Sequence, residues 1–176
     1  MKRFLKVLAV LVLVLTLAAA GVAAYGWRHF MPEAVSCQTA LLPSAKYAQQ
    51  KQEWFSQAQD GVFQGALAEN WKDFGDEELV FWQCTLRVRN DGFFPAEWIA
   101  LEPQPVPGDV MILPDAQPKV LQSRSEGDLT VTVLCSEKAA EAERPLVLSC
   151  YVLGRKTEAT YTVAEGKLIK KEGTGE

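Results

Sequence analysis

Histidine is nearly absent from this 176-residue chain, in which His29 stands alone. A Ser-His-Asp set would have to recruit this single imidazole across the domain, and no G-x-S-x-G turn accompanies any serine. The sequence also lacks a C-x-x-C or Cys/His spacing suited to zinc or redox catalysis. It has no G-x-G-x-x-G or phosphate loop for a nucleotide. We therefore predict no catalytic site, no metal and no cofactor.

Acidic residues are missing from the first 32 positions, so all 22 Asp and Glu lie from Glu33 onwards. Lys2, Arg3 and Lys6 precede an apolar run, which leaves 15 bases against those 22 acids, a formal charge of −7 for the rest of the chain. An acidic domain repels phosphate backbones, so nucleic acid is not predicted as a partner.

The apolar run covers residues 7–24 and extends to 27 if Tyr25 and Trp27 are included as interfacial aromatics. A helix needs about 20 apolar residues to cross a bilayer. We therefore predict a signal anchor over 1–27, inserted through residues 7–27. Since basic residues stay on the cytoplasmic side, the C-terminal domain is expected outside the cell membrane.

Two alternatives to a single-pass anchor remain. Small residues at 18–20 and 22–24 resemble a signal-peptidase site, in which case the domain is secreted. Residues 34–37, Ala-Val-Ser-Cys, partly resemble the lipobox of bacterial lipoproteins, although charged residues separate Cys37 from the apolar run.

Residues 28–61 are interpreted as a juxtamembrane linker that contains a helix between Pro43 and Gly61, because this stretch is rich in Ala, Gln, Lys and Glu. Residues 62–74 fit a helix or a first strand equally well. The segment 62–165 is predicted to form a β-sandwich domain, and 166–176 a polar tail that frays.

Period-two alternation of apolar residues and turn signals between the runs predict six or seven short strands, the pattern of a β-sandwich. The segment 110–113 is expected at a sheet edge because prolines flank it, and 145–154 in a sheet centre because it is nearly all apolar. The predicted strands are 79–90, 96–103, 110–113, 128–135, 145–154 and 157–163.

Several of these segments together resemble bacterial cell-surface immunoglobulin-like domains of the adhesion-related type, over about residues 79–163. The similar features are a strand ending in LRVRNDG, a Pro-rich middle, the loop SRSEGD, the strand DLTVTVL and the final apolar strand PLVLSCYVLG. The resemblance implies an immunoglobulin-like sandwich that serves as a spacer, an adhesion module or an accessory part of an envelope assembly.

Four cysteines, Cys37, Cys84, Cys135 and Cys150, permit two disulfides with three connectivities in an exported chain. If the strands run as in an immunoglobulin-like sandwich, Cys84 and Cys150 lie on facing sheets and form a disulfide, with Trp98 as a packing partner. Pairing of Cys84 with Cys135, pairing of Cys135 with Cys150, and free buried thiols remain alternatives.

Phe93, Phe94 and Trp98 are the candidate ligand-contact aromatics, since exposed aromatics on a sandwich stack on sugars or fill a partner's pocket. The alternation of Trp98 with Ala96 and Ala100 favours a place in the core instead. The acidic residues Asp73, Asp76, Glu77 and Glu78 are interpreted as a solvated turn.

The function predicted from these features is a non-enzymatic, membrane-anchored domain outside the membrane that binds or positions another membrane or cell-wall protein. A module that binds cell-wall glycan is the first alternative. An envelope hydrolase that uses the carboxylates at 73–78 is the second.

Overall fold

A long apolar helix opens the chain. The computed structural model of the protein describes residues 2–29, 31–43, 47–74, 79–114, 119–164 and 166–170. Helix α1, Lys2–His29, contains the stretch Lys6–Tyr25, which has a mean hydropathy of 2.8 and is not buried against any other part of the described chain. Its length and composition suit a membrane span, and they suit a signal sequence equally well.

Two five-stranded antiparallel sheets make up most of the remaining described chain. The first sheet has the strand order β1-β3-β7-β5-β2 and the second β10-β9-β8-β4-β6. The strands are β1 (Glu33–Pro43), β2 (Ala66–Leu67), β3 (Leu79–Asn90), β4 (Ala96–Pro103), β5 (Asp109–Leu113), β6 (Lys119–Leu121), β7 (Ser125–Ser136), β8 (Arg144–Val152), β9 (Arg155–Ala164) and β10 (Lys167–Lys170). Two further α-helices, α2 (Ala48–Gln59) and α3 (Glu137–Glu141), and a 3₁₀ turn at Trp71–Asp73 connect them.

The core lies between the two sheets and is built by alternation along the strands. On β3 every second residue points inward, and the same holds on β7 and β8. The inward residues include Trp82, Cys84, Leu86, Val88, Leu129, Val131, Val133, Leu146, Leu148 and Val152. The predicted β-sandwich is confirmed as an immunoglobulin-like architecture in the general sense of two packed antiparallel sheets.

The strand inventory differs from the prediction in number and in one position. The structure has ten described strands where six or seven were predicted. β1 and β10 pair within the sheets although their residues fall in the segments interpreted as linker and tail. β5 was predicted at a sheet edge, which is wrong, because it lies between β7 and the two-residue strand β2.

A buried ion pair joins the two sheets. Arg144 begins β8 in the second sheet, and its Nη2 lies 2.6 Å from Oδ1 of Asp109 on β5 in the first sheet. Both side chains are almost fully buried. The Arg144 guanidinium also lies 4.8 Å from the ring centroid of Trp82. The pair is therefore a two-point polar contact enclosed by apolar packing.

Part of the first sheet's outer face is covered by α2. Trp54 of this helix packs on Phe81 of β3 and on Phe63, with ring centroids 5.2 and 5.4 Å apart. Around it lies a second apolar cluster that contains Trp71, Leu79, Val110, Met111 and Leu134. The predicted helix between Pro43 and Gly61 is confirmed as α2, and its aromatic side buries against the sandwich.

Candidate binding surface on the second sheet

A β-bulge interrupts β4 on the outer side of the second sheet. Ala96 pairs with Leu121 and Ile99 with Lys119, so two residues of β4 oppose the single residue Val120 of β6. The inserted residue is Trp98, whose φ of 53° lies in the left-handed region. This backbone conformation costs a bulky residue about 1–2 kcal/mol. Trp98 is therefore held in a strained position.

The bulge turns Trp98 out into solvent, where 62% of its surface is exposed. We predicted a core position from its alternation with Ala96 and Ala100, and that prediction is wrong. The extra residue shifts the phase of the strand, so that Ala96 and Ile99 point inward while Glu97 and Trp98 point outward.

Three exposed apolar side chains follow one another across the second sheet at the bulge. Val120 on β6 opposes the bulge, and Tyr151 on β8 pairs with Glu97 next to Trp98. Val120 is 55% exposed and Tyr151 38% exposed. We call Val120, Trp98 and Tyr151 the apolar row. The row extends over three neighbouring strands, and no described element covers it.

Charged side chains border the apolar row. Lys156 of β9 pairs with Tyr151, and its Nζ lies 2.6 Å from Oε1 of Glu158. The hydrogen bond and the charge of Glu158 raise the pKa of Lys156 above its usual range, and the nearby Tyr151 and Glu102 add to this shift. An ion pair therefore borders the apolar row on its β9 side, and polar or charged residues usually surround the core of a protein contact.

Phe93 and Phe94, the two other candidate aromatics, point in different directions. Phe93 lies in the turn between β3 and β4, is 61% exposed, and has the guanidinium of Arg124 5.5 Å from its ring centroid. Phe94 packs against the core. The buried amide of Asn90 fixes this turn by donating to the carbonyl oxygens of Phe94 and Leu121. The structure therefore does not bring the three aromatics into one platform.

The four cysteines are thiols in the structure and lie in or against the core. The Sγ atom of Cys84 lies 3.2 Å from that of Cys37 on the neighbouring strand β1. Cys150 contacts Thr157 Oγ1 at 3.1 Å, and burial raises the pKa of Cys135 to about 12. The disulfide between Cys84 and Cys150 stays a prediction.

Of the acidic cluster, Asp76, Glu77 and Glu78 lie outside the described residues, as does the side chain of His29. Asp73 is in the 3₁₀ turn. Over the described ranges, no three His, Cys, Asp or Glu side chains are grouped in a way that could hold a metal ion.

Sequence reasoning missed Tyr151 and Val120. The segment 145–154 was predicted in a sheet centre, and β8 is the middle strand of the second sheet, but Tyr151 on its outer face alternates with inward Cys150 and Val152. This alternation was the sequence signal that Tyr151 points outward. For Val120 the signal was weaker, since β6 has three residues and lies between prolines and a turn.

Comparison with known proteins gives a likeness in solved structures only. No protein-family model and no curated protein sequence matches the chain. A crystal structure of the yeast GGA1 GAE domain, titled "GGA1_GAE domain-P21", is similar over 62% of this chain and 100% of that chain. The identity is 15% and the TM-score 0.32. A likeness at this level carries no information on function.

Proposed function

We propose that this chain is a non-enzymatic, single-pass membrane protein whose sandwich binds or positions another protein of a bacterial cell envelope through the apolar row. The observation that carries the proposal is Trp98, a large aromatic held out in solvent at a strained φ of 53°. Strain of this kind persists where the surrounding structure enforces it, and it concentrates at functional sites.

The helix α1 supports a membrane location for the sandwich. Its stretch Lys6–Tyr25 is apolar and uncovered in the described chain, and the bases Lys2 and Arg3 precede it. Bases at this end favour an orientation with the sandwich outside the cytoplasm. If a signal peptidase removes the helix, the same domain is secreted.

The short connection between helix and sandwich restricts the search for a partner. β1 starts at Glu33, four residues after α1 ends at His29. Four extended residues span roughly 14 Å. The sandwich is thus held close to the bilayer, where tethering raises its effective concentration toward neighbouring membrane proteins.

The composition of the apolar row supports a protein partner. Tryptophan and tyrosine dominate the binding energy of protein interfaces, because they bury a large area with little loss of side-chain freedom. Trp98 and Tyr151 lie on adjacent strands, and the ion pair of Lys156 and Glu158 lies beside Tyr151. The absence of enzymatic activity is proposed from the sequence, with its single histidine and no nucleophile motif.

A glycan of the cell wall is the second candidate ligand. Two neighbouring exposed aromatic rings, Trp98 and Tyr151, can stack on sugar faces, with Glu97 beside them as a hydrogen-bond acceptor. This platform differs from the predicted one, since Phe94 is packed in the core and Tyr151 takes part.

Site-specific photo-crosslinking in intact cells tests the proposal. A benzophenone amino acid replaces Val120 or Tyr151 in the full-length chain, and the matched control replaces Thr85, which lies on the outer face of the first sheet. We expect both positions on the row to give the same covalent protein adduct, and Thr85 to give none. Equal adducts from both faces, or none from the row, would contradict the proposal. Retention on isolated wall polysaccharide that Trp98→Ala abolishes would instead favour the glycan.

A further inference from the structure

Two thiols on neighbouring strands of the first sheet lie almost within bonding distance. Cys37 on β1 pairs with Leu86, and Cys84 on β3 pairs with Thr39, so the cysteines are diagonal neighbours. Their Sγ atoms are 3.2 Å apart. A disulfide requires about 2.05 Å, so the sulfur atoms need to approach by roughly 1 Å to bond.

We propose that Cys37 and Cys84 form an intrachain disulfide when the protein meets a disulfide oxidant, and that this bond fastens the strand after the membrane helix to an inner strand of the first sheet. β1 is an edge strand, whereas β3 is paired on both sides, with β1 and β7. The fastening role rests on the proposed membrane anchoring. The formation of the bond does not.

The environments of the two thiols give them different roles in the oxidation. Cys37 is half-buried and Cys84 is fully buried. The hydrogen bond from Cys84 lowers the pKa of Cys37, and the same contact together with burial raises the pKa of Cys84. Cys37 is therefore the more accessible and more readily ionised thiol, which an oxidant meets first, and Cys84 is the resolving thiol.

The reaction balances with glutathione disulfide as the oxidant. The Cys37 thiolate attacks one sulfur of glutathione disulfide, forms a mixed disulfide and releases one glutathione thiolate, which takes up a proton. Cys84 then loses its proton and attacks the Cys37 sulfur, and the second glutathione leaves as a thiol. Two protein thiols are oxidised to one disulfide, and one glutathione disulfide is reduced to two glutathione thiols.

The other two cysteines are placed to remain thiols. Cys135 lies on β7 and Cys150 on β8, both fully buried, and the Sγ atom of Cys150 contacts the Thr157 hydroxyl rather than another sulfur. Because one sulfur joins one partner, a bond between Cys37 and Cys84 excludes the predicted bond between Cys84 and Cys150. The two pairings therefore make opposite predictions for the same peptides.

The test uses the full-length protein in detergent micelles, incubated with glutathione disulfide, then denatured and alkylated with N-ethylmaleimide. We expect two alkylated thiols rather than four, and a cross-linked peptide pair that contains Cys37 and Cys84. Cys37→Ser, a change at a half-buried site, should leave three free thiols and no disulfide. Cys150→Ser, whose hydroxyl can keep the contact to Thr157, should still form the bond.

Three outcomes overturn the proposal: four free thiols after oxidation, a stable glutathione adduct on Cys37, or a peptide pair that contains Cys84 and Cys150. A second measurement is the melting temperature, which should rise by about 10 °C on oxidation and return on reduction, because the bond closes a loop of about 47 residues. Since the oxidation is carried out on purified protein, its failure is separate from a failure to find a partner in cells.

Discussion

The two outer faces of the sandwich differ in whether a tryptophan is buried or exposed. On the first sheet, Trp54 of α2 lies over Phe81 and is buried among aromatic rings. On the second sheet, Trp98 stands in solvent at a bulge. The same residue type thus stabilises the fold on one face and is left available on the other. The backbone around each ring, rather than its hydrophobicity, decides which role it takes.

The part of the first sheet's outer face that α2 does not cover is polar. There the cross-strand pairs of β3 and β7 are polar and satisfy one another: Gln83 donates to Thr132, Thr85 bonds Thr130, and Arg87 forms an ion pair with Asp128. Such a face is suited to water. The second sheet instead exposes the apolar row, which is why we place the interaction surface there.

Truncating the two tryptophans should give the largest difference between the faces. Trp54→Ala removes a buried ring and should lower the free energy of unfolding by about 3–5 kcal/mol. Trp98→Ala removes an exposed ring and should change it by less than about 1 kcal/mol. Urea unfolding of both variants, followed by circular dichroism, measures this. A loss at Trp98 as large as at Trp54 would show that Trp98 is a core residue.

Replacing Trp98 by glycine should give a more stable protein than replacing it by alanine, and both changes remove the proposed contact. Glycine adopts positive φ without steric cost, so Trp98→Gly should raise the free energy of unfolding by about 1 kcal/mol relative to Trp98→Ala. In both variants, a benzophenone amino acid at position 151 should no longer form the covalent adduct with the partner. Equal stability of the Gly and Ala variants would mean that the bulge is not strained.

The smallest effect is expected from the polar face of the first sheet. The hydrogen bonds and charge of Arg87 lower the pKa of Asp128. A carboxylate with a lowered pKa in the folded state stabilises the fold above its unfolded pKa of about 4, and this contribution is lost as the pH falls through the folded pKa.

Arg87→Met should therefore shift the urea midpoint slightly downward at pH 7, and this shift should shrink as the pH falls below about 4. Arg89→Met, which removes a base on the same face from its ion pair with Asp91, is the matched control for loss of a positive charge. A pH-independent difference for Arg87→Met would assign its effect to lost packing of the side chain rather than to charge.

Sequence patterns predicted the strands whose faces alternate cleanly. β3 has the predicted bounds, 79–90, because inward apolar and outward polar residues alternate from Trp82 onwards. β4 has the predicted bounds, 96–103, because turn and proline signals flank it. β1 was missed, because most of its side chains are exposed and backbone pairing with β3 places it in the sheet. A strand held by main-chain bonds at an edge leaves little pattern in its side chains.

The candidate site was harder to predict than the fold. Phe93 and Trp98 were identified as candidate contacts from their residue types. The direction of Trp98 depends on the extra residue in β4, which exists only in relation to the pairing with β6 and β8. Strict alternation assumes the same phase along a strand and so placed this ring in the interior.

The buried ion pair between Arg144 and Asp109 has a consequence for how the domain comes apart. Apolar layers in contact can slip past each other by small steps, whereas a two-point bond between planar charged groups has one satisfactory geometry. Shear of one sheet over the other would strand both charges away from water, at a cost of about 3–5 kcal/mol. A shearing force on the sandwich should therefore meet stiff, all-or-none resistance, with both sheets giving way together.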